Sequence, residues 1–205
     1  MVSRRRAKKQ ALWTSAAARR LLGLAGNPPT IEESVRIIAK RLLDSVECPP
    51  TDLDAVGALL HITGFYPEEL PISGELRRDT HGLKIVYSSY LSAPRRRFTI
   101  AHEIAHAIFE SSGPGCPRVG KELERLCDML ATEMLMPSDV FLQWVGTKIS
   151  VQKLFERAAV FKTSLSATAI RLAELCGIST FEAEEESILW SYGVVKKRPD
   201  YGKVQ

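Results

Sequence analysis

The segment Arg95–Ser111, with the sequence RRRFTIAHEIAHAIFES, limits the possible folds of this chain more than any other segment. The residues around His102 and His106 are small or apolar, which predicts a helix that is buried over most of its surface. Four residues rotate a helix by about 400°, so both imidazole rings leave the same face, one turn apart. Because an unsatisfied buried polar group costs about 1–3 kcal/mol, the fold has to supply partners for both rings.

The HExxH spacing, with Glu103 directly after His102, is typical of a catalytic zinc site. His102 and His106 can bind one tetrahedral ion, while Glu103 can reach a water in the open position without being a ligand. Zinc lowers the pKa of that water to about 7, so Glu103 can take its proton during attack on a carbonyl and pass it to the leaving amine. The alternative interpretation is a pair of hydrogen-bonded core histidines beside a surface glutamate.

A second predicted helix, residues 120–136, can supply the third ligand that a catalytic zinc site needs. Glu124 and Asp128 are four residues apart and share one face, so we predict Glu124 as the ligand. Asp128 can accept the second ring N–H of a zinc-bound histidine and fix its tautomer. We predict one Zn²⁺ per chain, although two histidines and a carboxylate can also hold Mn²⁺ or Fe²⁺. Glu122 and Glu133 are the other carboxylates considered as ligands. The alternative role for Asp128 is an ion pair with Arg125 or Arg118.

Outside these two helices, hydrophobic periodicity predicts further helices and a small sheet. Two strands, residues 72–78 and 82–89, are joined by a DTHG turn, and residues 188–195 are strand-like. We therefore predict an α+β fold that is mostly helical, with a small β-sheet. The remaining helices are predicted at residues 31–46, 53–62, 139–145, 151–161 and 166–176, the last two with the spacing of a helix-turn-helix.

The net charge of +4 is unevenly distributed, because residues 1–24 contain seven basic residues and no acidic one. We interpret this segment as a solvated, flexible extension, with contact to nucleic acid or an acidic partner as the alternative. No apolar run is long enough to span a bilayer, so we predict no membrane contact. The four cysteines are widely spaced and form no CxxC, which argues against a disulfide framework and favours a cytoplasmic protein.

Two segments together resemble the ImmA/IrrE family of bacterial metallo-endopeptidases. They are RRRFTIAHEIAHAIFE and the segment Glu124–Pro137, which has the form ExxCDxxAxExLMP, with Cys127 where relatives usually have alanine. The resemblance covers about residues 31–177. It implies a minimal thermolysin-like, gluzincin-type zinc peptidase domain followed by a helix-turn-helix-like segment. It also implies zinc held by His102, His106 and Glu124, with Glu103 as the base.

The same resemblance implies a substrate and a way of binding it. Family members of known role cleave helix-turn-helix repressors, so we predict an endopeptidase that cleaves a repressor or an antitoxin in a stress response. An extended substrate is expected to pair with an edge strand. The resemblance places that edge at Gly82, Leu83, Lys84, Ile85, Val86 and Tyr87.

The alternative function is a DNA-binding or protein-binding regulator with a structural metal site. Its candidate recognition helix offers Thr168 and Arg171 but also Glu174, and this sparse basic charge disfavours direct DNA binding. We divide the chain into four parts on these grounds. They are a basic extension (1–30), a zinc peptidase domain (31–147), a helix-turn-helix-like segment packed on it (148–180) and a tail with a possible strand (181–205).

Overall fold

The computed structural model describes residues 13–111, 120–143, 151–176, 180–185 and 188–193. The chain divides into two compact units, Met1–Pro137 and Ser138–Gln205. The described residues are mostly helical with a small three-stranded sheet, which confirms the predicted α+β fold. The four-part division of the chain stays a prediction.

The first unit carries both segments that resemble the peptidase family. Among the described residues, no helix combines the length and the apolar character of a membrane span. The elements of this unit are α1 (Ala16–Ala25), α2 (Ile31–Leu43), α3 (Leu53–Leu59), β1 (Ile62–Glu68), β2 (Gly74–Asp79), β3 (Gly82–Ser88), α4 (Ala93–Ser111) and α5 (Lys121–Leu135).

Side-chain caps fix the starts of the first three helices. Ser15, Thr30 and Asp52 each accept a backbone N–H from the first turn of α1, α2 and α3, respectively. Helix α1 ends at Gly26, whose φ of 89° gives the left-handed conformation that closes many helices. Helix α3 is shorter than predicted, because Ile62, its expected last residue, begins β1.

Helix α1 lies within residues 1–30, which the sequence predicts to be a flexible extension. From Trp13 onward this range is structured, and residues 1–12 lie outside the described part. Ala17, Ala18 and Leu21 are fully buried, and α1 packs on α2 and α5. Apolar burial stabilises a short helix that would be marginal alone, so the predicted flexibility is wrong for these residues.

The three-stranded sheet has the order β1-β3-β2. β3 pairs in parallel with β1 and antiparallel with β2, so its backbone groups are used on both sides. Its Leu83, Ile85 and Val86 are buried, as expected for a middle strand. The prediction that residues 82–87 form the edge of the sheet is therefore wrong. The edge strands are β1 and β2.

The core of the first unit forms where α4 packs on α5 and on the sheet. Small residues in α4 allow this close approach, as the sequence indicates. Buried side chains of the two helices include Ala101, Ile104, Ala105, Ala107, Leu126, Leu130 and Met134. This packing fixes the faces from which the polar side chains of α4 and α5 project.

The second unit contains the predicted helix-turn-helix-like segment. Its elements are α6 (Ser138–Gln143), α7 (Val151–Phe161), α8 (Leu165–Cys176), β4 (Thr180–Glu185) and β5 (Ile188–Gly193). Phe141 and Phe161 pack with ring centroids 5.3 Å apart. β4 and β5 form an antiparallel pair, and β4 arises from an acidic segment not predicted as a strand. The last two residues of the predicted helix 139–145 lie outside the described residues.

Candidate metal centre

Helices α4 and α5 bring the three predicted ligands together. His102 and His106 project from one face of α4, and Glu124 projects from the first turn of α5. The Nε2 atoms of the two histidines are 3.2 Å apart. His102 Nε2 lies 3.2 Å from one Glu124 carboxylate oxygen, and His106 Nε2 lies 3.6 Å from the other. All three ligand atoms fall within 4.8 Å of one another.

These separations fit a divalent cation. Tetrahedral ligands at about 2.1 Å from an ion lie about 3.4 Å from one another, close to the observed spacings. Two imidazole nitrogens and one carboxylate oxygen are also a donor set that suits Zn²⁺, Mn²⁺ or Fe²⁺. The histidine side chains are 16% and 18% exposed, so the ligand atoms are reachable from solvent but held in a partly buried setting.

Asp128 orients one of the histidines. The Nδ1–H of His102 donates to the Asp128 carboxylate at 2.9 Å, which leaves Nε2 directed towards Glu124 and His106. Burial lowers the pKa of His102, but the hydrogen bond to Asp128 and the nearby carboxylates raise it by more. The pKa of His106 is lowered by burial and by the charge of His102. This arrangement is the one predicted for a carboxylate behind a metal ligand.

The alternative ion pairs of Asp128 are not found within the described residues. Arg125 instead lies over the ring of Trp13, with 5.0 Å between the guanidinium carbon and the ring centroid. Arg118 lies outside the described residues. Glu133 is buried on α5, and Glu122 accepts the backbone N–H of Ser15 at 3.0 Å. Among the described residues, Glu124 is the carboxylate that groups with the two histidines, and neither Glu122 nor Glu133 belongs to that group.

Glu103 is buried between α4 and β2, with 9% of its surface exposed. Its carboxylate accepts the backbone N–H of Leu76 in β2, and its charge interacts with those of His102 and Glu124. Burial raises the pKa of Glu103. A carboxyl group whose pKa is raised beside a candidate metal centre is suited to accept a proton and return it.

Strand β2 forms the open edge of the sheet beside this centre, a position that sequence reasoning gave to β3. The Ser88 N–H donates to the Ser73 carbonyl at 2.9 Å. The antiparallel register therefore leaves the backbone groups of Gly74, Leu76 and Arg78 on the side away from β3. The N–H of Leu76 meets Glu103 from that side. Sheet order depends on pairing between distant segments, which local patterns do not encode.

One sequence signal does indicate the close approach of β2 to α4. A Cβ atom at Gly74 would lie 2.5 Å from Thr99 Cγ2 and 3.0 Å from the Val86 carbonyl oxygen. A glycine at the start of a strand often marks such a close backbone contact. Gly74 therefore lets β2 lie directly against the helix that carries Glu103.

The two residues considered for DNA recognition are buried in the second unit. Thr168 is fully buried and donates to the Ser164 carbonyl at 2.9 Å. Arg171 is 7% exposed and donates to the Ser138 hydroxyl at 2.9 Å. Both side chains have structural partners within this unit.

Comparison with known sequences agrees with the geometry. A family model, peptidase M78, described as the IrrE N-terminal-like domain, matches residues 68–173, more than half of the 205 residues. The matched range contains the three candidate ligands, Glu103 and Asp128. No curated protein sequence matches the chain. The family match confirms the resemblance inferred from the two helical motifs, and the chain belongs to the IrrE N-terminal-like family of metallopeptidase-type domains.

Proposed function

We propose that this protein is a zinc-dependent endopeptidase that cleaves a cytoplasmic regulatory protein, a helix-turn-helix repressor or an antitoxin. The observation that carries the proposal is the convergence of His102, His106 and Glu124, whose ligand atoms lie within 4.8 Å, beside the buried carboxylate of Glu103. A metal site that only stabilises the fold is normally closed by four protein ligands and needs no adjacent base. Three protein ligands beside a carboxylate base therefore favour a catalytic metal site over a structural one.

Each side chain has a distinct role in this proposal. His102, His106 and Glu124 would hold the metal ion, which would supply Lewis-acid chemistry towards a peptide carbonyl and a water. Glu103 accepts a proton from the attacking water and returns it to the amide nitrogen that leaves. The N–H of Leu76 keeps the Glu103 carboxylate in position. Asp128 holds His102 in the tautomer whose unprotonated Nε2 faces the metal site.

In this proposal the substrate backbone pairs with β2, and not with β3 as the sequence predicts. The backbone groups of Gly74 and Arg78 and the carbonyl of Leu76 face away from β3, whereas the Leu76 N–H donates to Glu103. Strand addition at such an edge holds a peptide in extended form through main-chain hydrogen bonds. An extended, locally unfolded segment is therefore the form in which a target protein is cut.

The choice of a regulatory protein as substrate rests on the family resemblance, since known relatives cleave helix-turn-helix repressors. The first test is co-expression with a small helix-turn-helix protein encoded beside the gene. Wild-type protein is expected to cut this partner at one position, which intact mass measurement of the fragments identifies. A partner that stays intact with metal-loaded wild-type protein contradicts the substrate assignment.

Glu103→Gln tests the catalytic assignment. The variant is expected to keep about one metal ion per chain, measured by elemental analysis, and to lose cleavage by at least about 10³-fold, because no group remains to move the proton. Glu32→Gln is the matched control, since it makes the same change at an exposed glutamate on α2, outside the metal centre. Continued cleavage by Glu103→Gln would sink the peptidase mechanism.

A further inference from the structure

Helix α4 has one open face that extends beyond the metal centre. From Phe98 to Glu110, the positions that are not buried are Phe98, His102, His106 and Glu110, which recur every four residues. Arg95, one turn earlier, is exposed and continues the same line. We call the space between this row of α4 residues and the outer edge of β2 the cleft, and Arg78 of β2 reaches Glu110 of the row at one end of it.

The two ends of this row differ in their free charge. At the far end, Glu110 accepts a hydrogen bond from Arg78 of β2 at 3.0 Å, so both charges are compensated. At the near end, the Arg95 guanidinium lies 5.7 Å from the Phe98 ring centroid, and Arg96 lies 5.9 Å from that of Tyr87. Within the described part of the chain, neither arginine forms an ion pair. The near end therefore carries uncompensated positive charge held over aromatic rings.

Strand β2 connects the two ends. Gly74 approaches Thr99 and Glu103, whereas Arg78 reaches Glu110, so β2 and α4 run alongside each other in the same direction. A segment extended along the β2 edge therefore passes from Glu110 at one end to Arg95 at the other. Arg95 lies seven residues before His102, which is about 10 Å along the helix axis. That distance corresponds to about three residues of extended chain.

We infer that Arg95, with Arg96 beside it, selects an acidic side chain of the substrate about three residues from the scissile bond, on the side towards Gly74. This inference rests on the proposed peptidase function. The carboxylates of Glu103, Glu124 and Asp128 disfavour an acidic side chain at the scissile bond itself, so the preference is confined to the Arg95 end. A substrate antiparallel to β2 places this acidic residue after the scissile bond.

The test uses the full chain loaded with zinc and a library of peptides from a digested proteome, with mass spectrometry of the new termini. Aspartate and glutamate are expected to be enriched about two- to fivefold at one position, two to four residues from the cut, as for a partly exposed ion pair. Arg95→Glu is expected to replace this with a preference for lysine or arginine. Arg95→Lys is expected to keep the acidic preference.

Arg36→Glu is the matched control, because it reverses an exposed charge on α2, outside the cleft. It is expected to keep the wild-type preference, and thermal unfolding checks that each variant is folded. Cleavage without an acidic preference, or an acidic preference that survives Arg95→Glu, overturns the inference and leaves the peptidase function intact.

Absence of any cleavage by wild-type protein would count against the proposed function instead. In that case the inference is judged by capture of the same library on immobilised Glu103→Gln protein. Retention of acidic peptides that is lost in the Arg95→Glu, Glu103→Gln double variant supports it. Retention independent of Arg95, or no retention, overturns it.

Discussion

Helix pairs α4–α5 and α7–α8 both carry polar side chains with partners inside the protein, but they distribute them differently. In α4–α5 the polar groups point at one place, with three ligand atoms within 4.8 Å and Asp128 behind His102. In the second unit they are spread out, with Thr168 bonded to the Ser164 carbonyl and Arg171 to the Ser138 hydroxyl. Polar side chains that converge on one partly exposed point indicate a site, whereas buried polar side chains with separate partners indicate structural support.

The comparison also bears on the alternative function. A recognition helix has to present polar side chains to the grooves of DNA. Thr168 and Arg171, the residues considered for this role, face the interior of their own unit. The burial of both side chains favours a structural role for α8 over direct base reading.

His106→Ala is the change with the largest expected effect. It removes one of three ligands, so metal content is expected to fall from about one ion per chain to below about 0.1, with loss of activity. Elemental analysis of dialysed protein measures the metal directly. If the variant keeps its full complement of metal, the convergence of α4 and α5 does not form the binding site.

Arg171→Met is expected to lower the stability of the protein without changing its metal content. The substitution removes the buried hydrogen bond from Arg171 to the Ser138 hydroxyl, so the free energy of unfolding is expected to fall by about 1–3 kcal/mol. Urea denaturation measures this loss. Metal content and cleavage at a temperature where the variant is folded are expected to match those of wild type. A selective loss of metal would remove the distinction between the two helix pairs.

Glu122→Gln is expected to have the smallest effect, a loss of stability that depends on pH. Hydrogen bonds from Ser15 and the Thr14 N–H hold the pKa of Glu122 below its usual value. The ionised carboxylate therefore stabilises the fold above its unfolded pKa, and this contribution is lost as the pH falls through the lowered folded pKa.

The melting temperatures of wild type and Glu122→Gln are thus expected to differ slightly at pH 7 and to converge as the pH falls below the ordinary glutamate pKa of about 4.3. Scanning calorimetry over this range measures the difference. A difference that is constant with pH would show that the ionised carboxylate does not anchor residues 14 and 15 to α5.

Much of the site could be predicted because both of its halves are local. His102, Glu103 and His106 are fixed by helical periodicity in one segment, and Glu124 and Asp128 share a face in another. The contact between α4 and α5 then follows from their apolar faces. Helix α1 was harder to predict, because Arg19 and Arg20 interrupt its apolar residues, although both lie on its exposed side.

The sheet shows where local patterns stop being informative. β1 contains Gly64 and Pro67, which predict a break, yet its pairing with the buried strand β3 holds it in extended form. β3 lies between two partners because residues 82–88, after pairing with β2, also pair in parallel with residues 62–68 of β1. That information is in long-range contacts, so the sequence led to the wrong edge strand.

Gly74 has a consequence for how this cleft can vary. Because Gly74 has no side chain, its backbone lies directly against the Thr99 methyl group, and this contact sets the gap between β2 and Glu103. Residues 74 and 99 together therefore act as the spacer of the cleft. A larger residue at position 74 would push β2 away from α4 and lengthen the hydrogen bond from the Leu76 N–H to Glu103, so the width of the cleft and the position of this carboxylate change together.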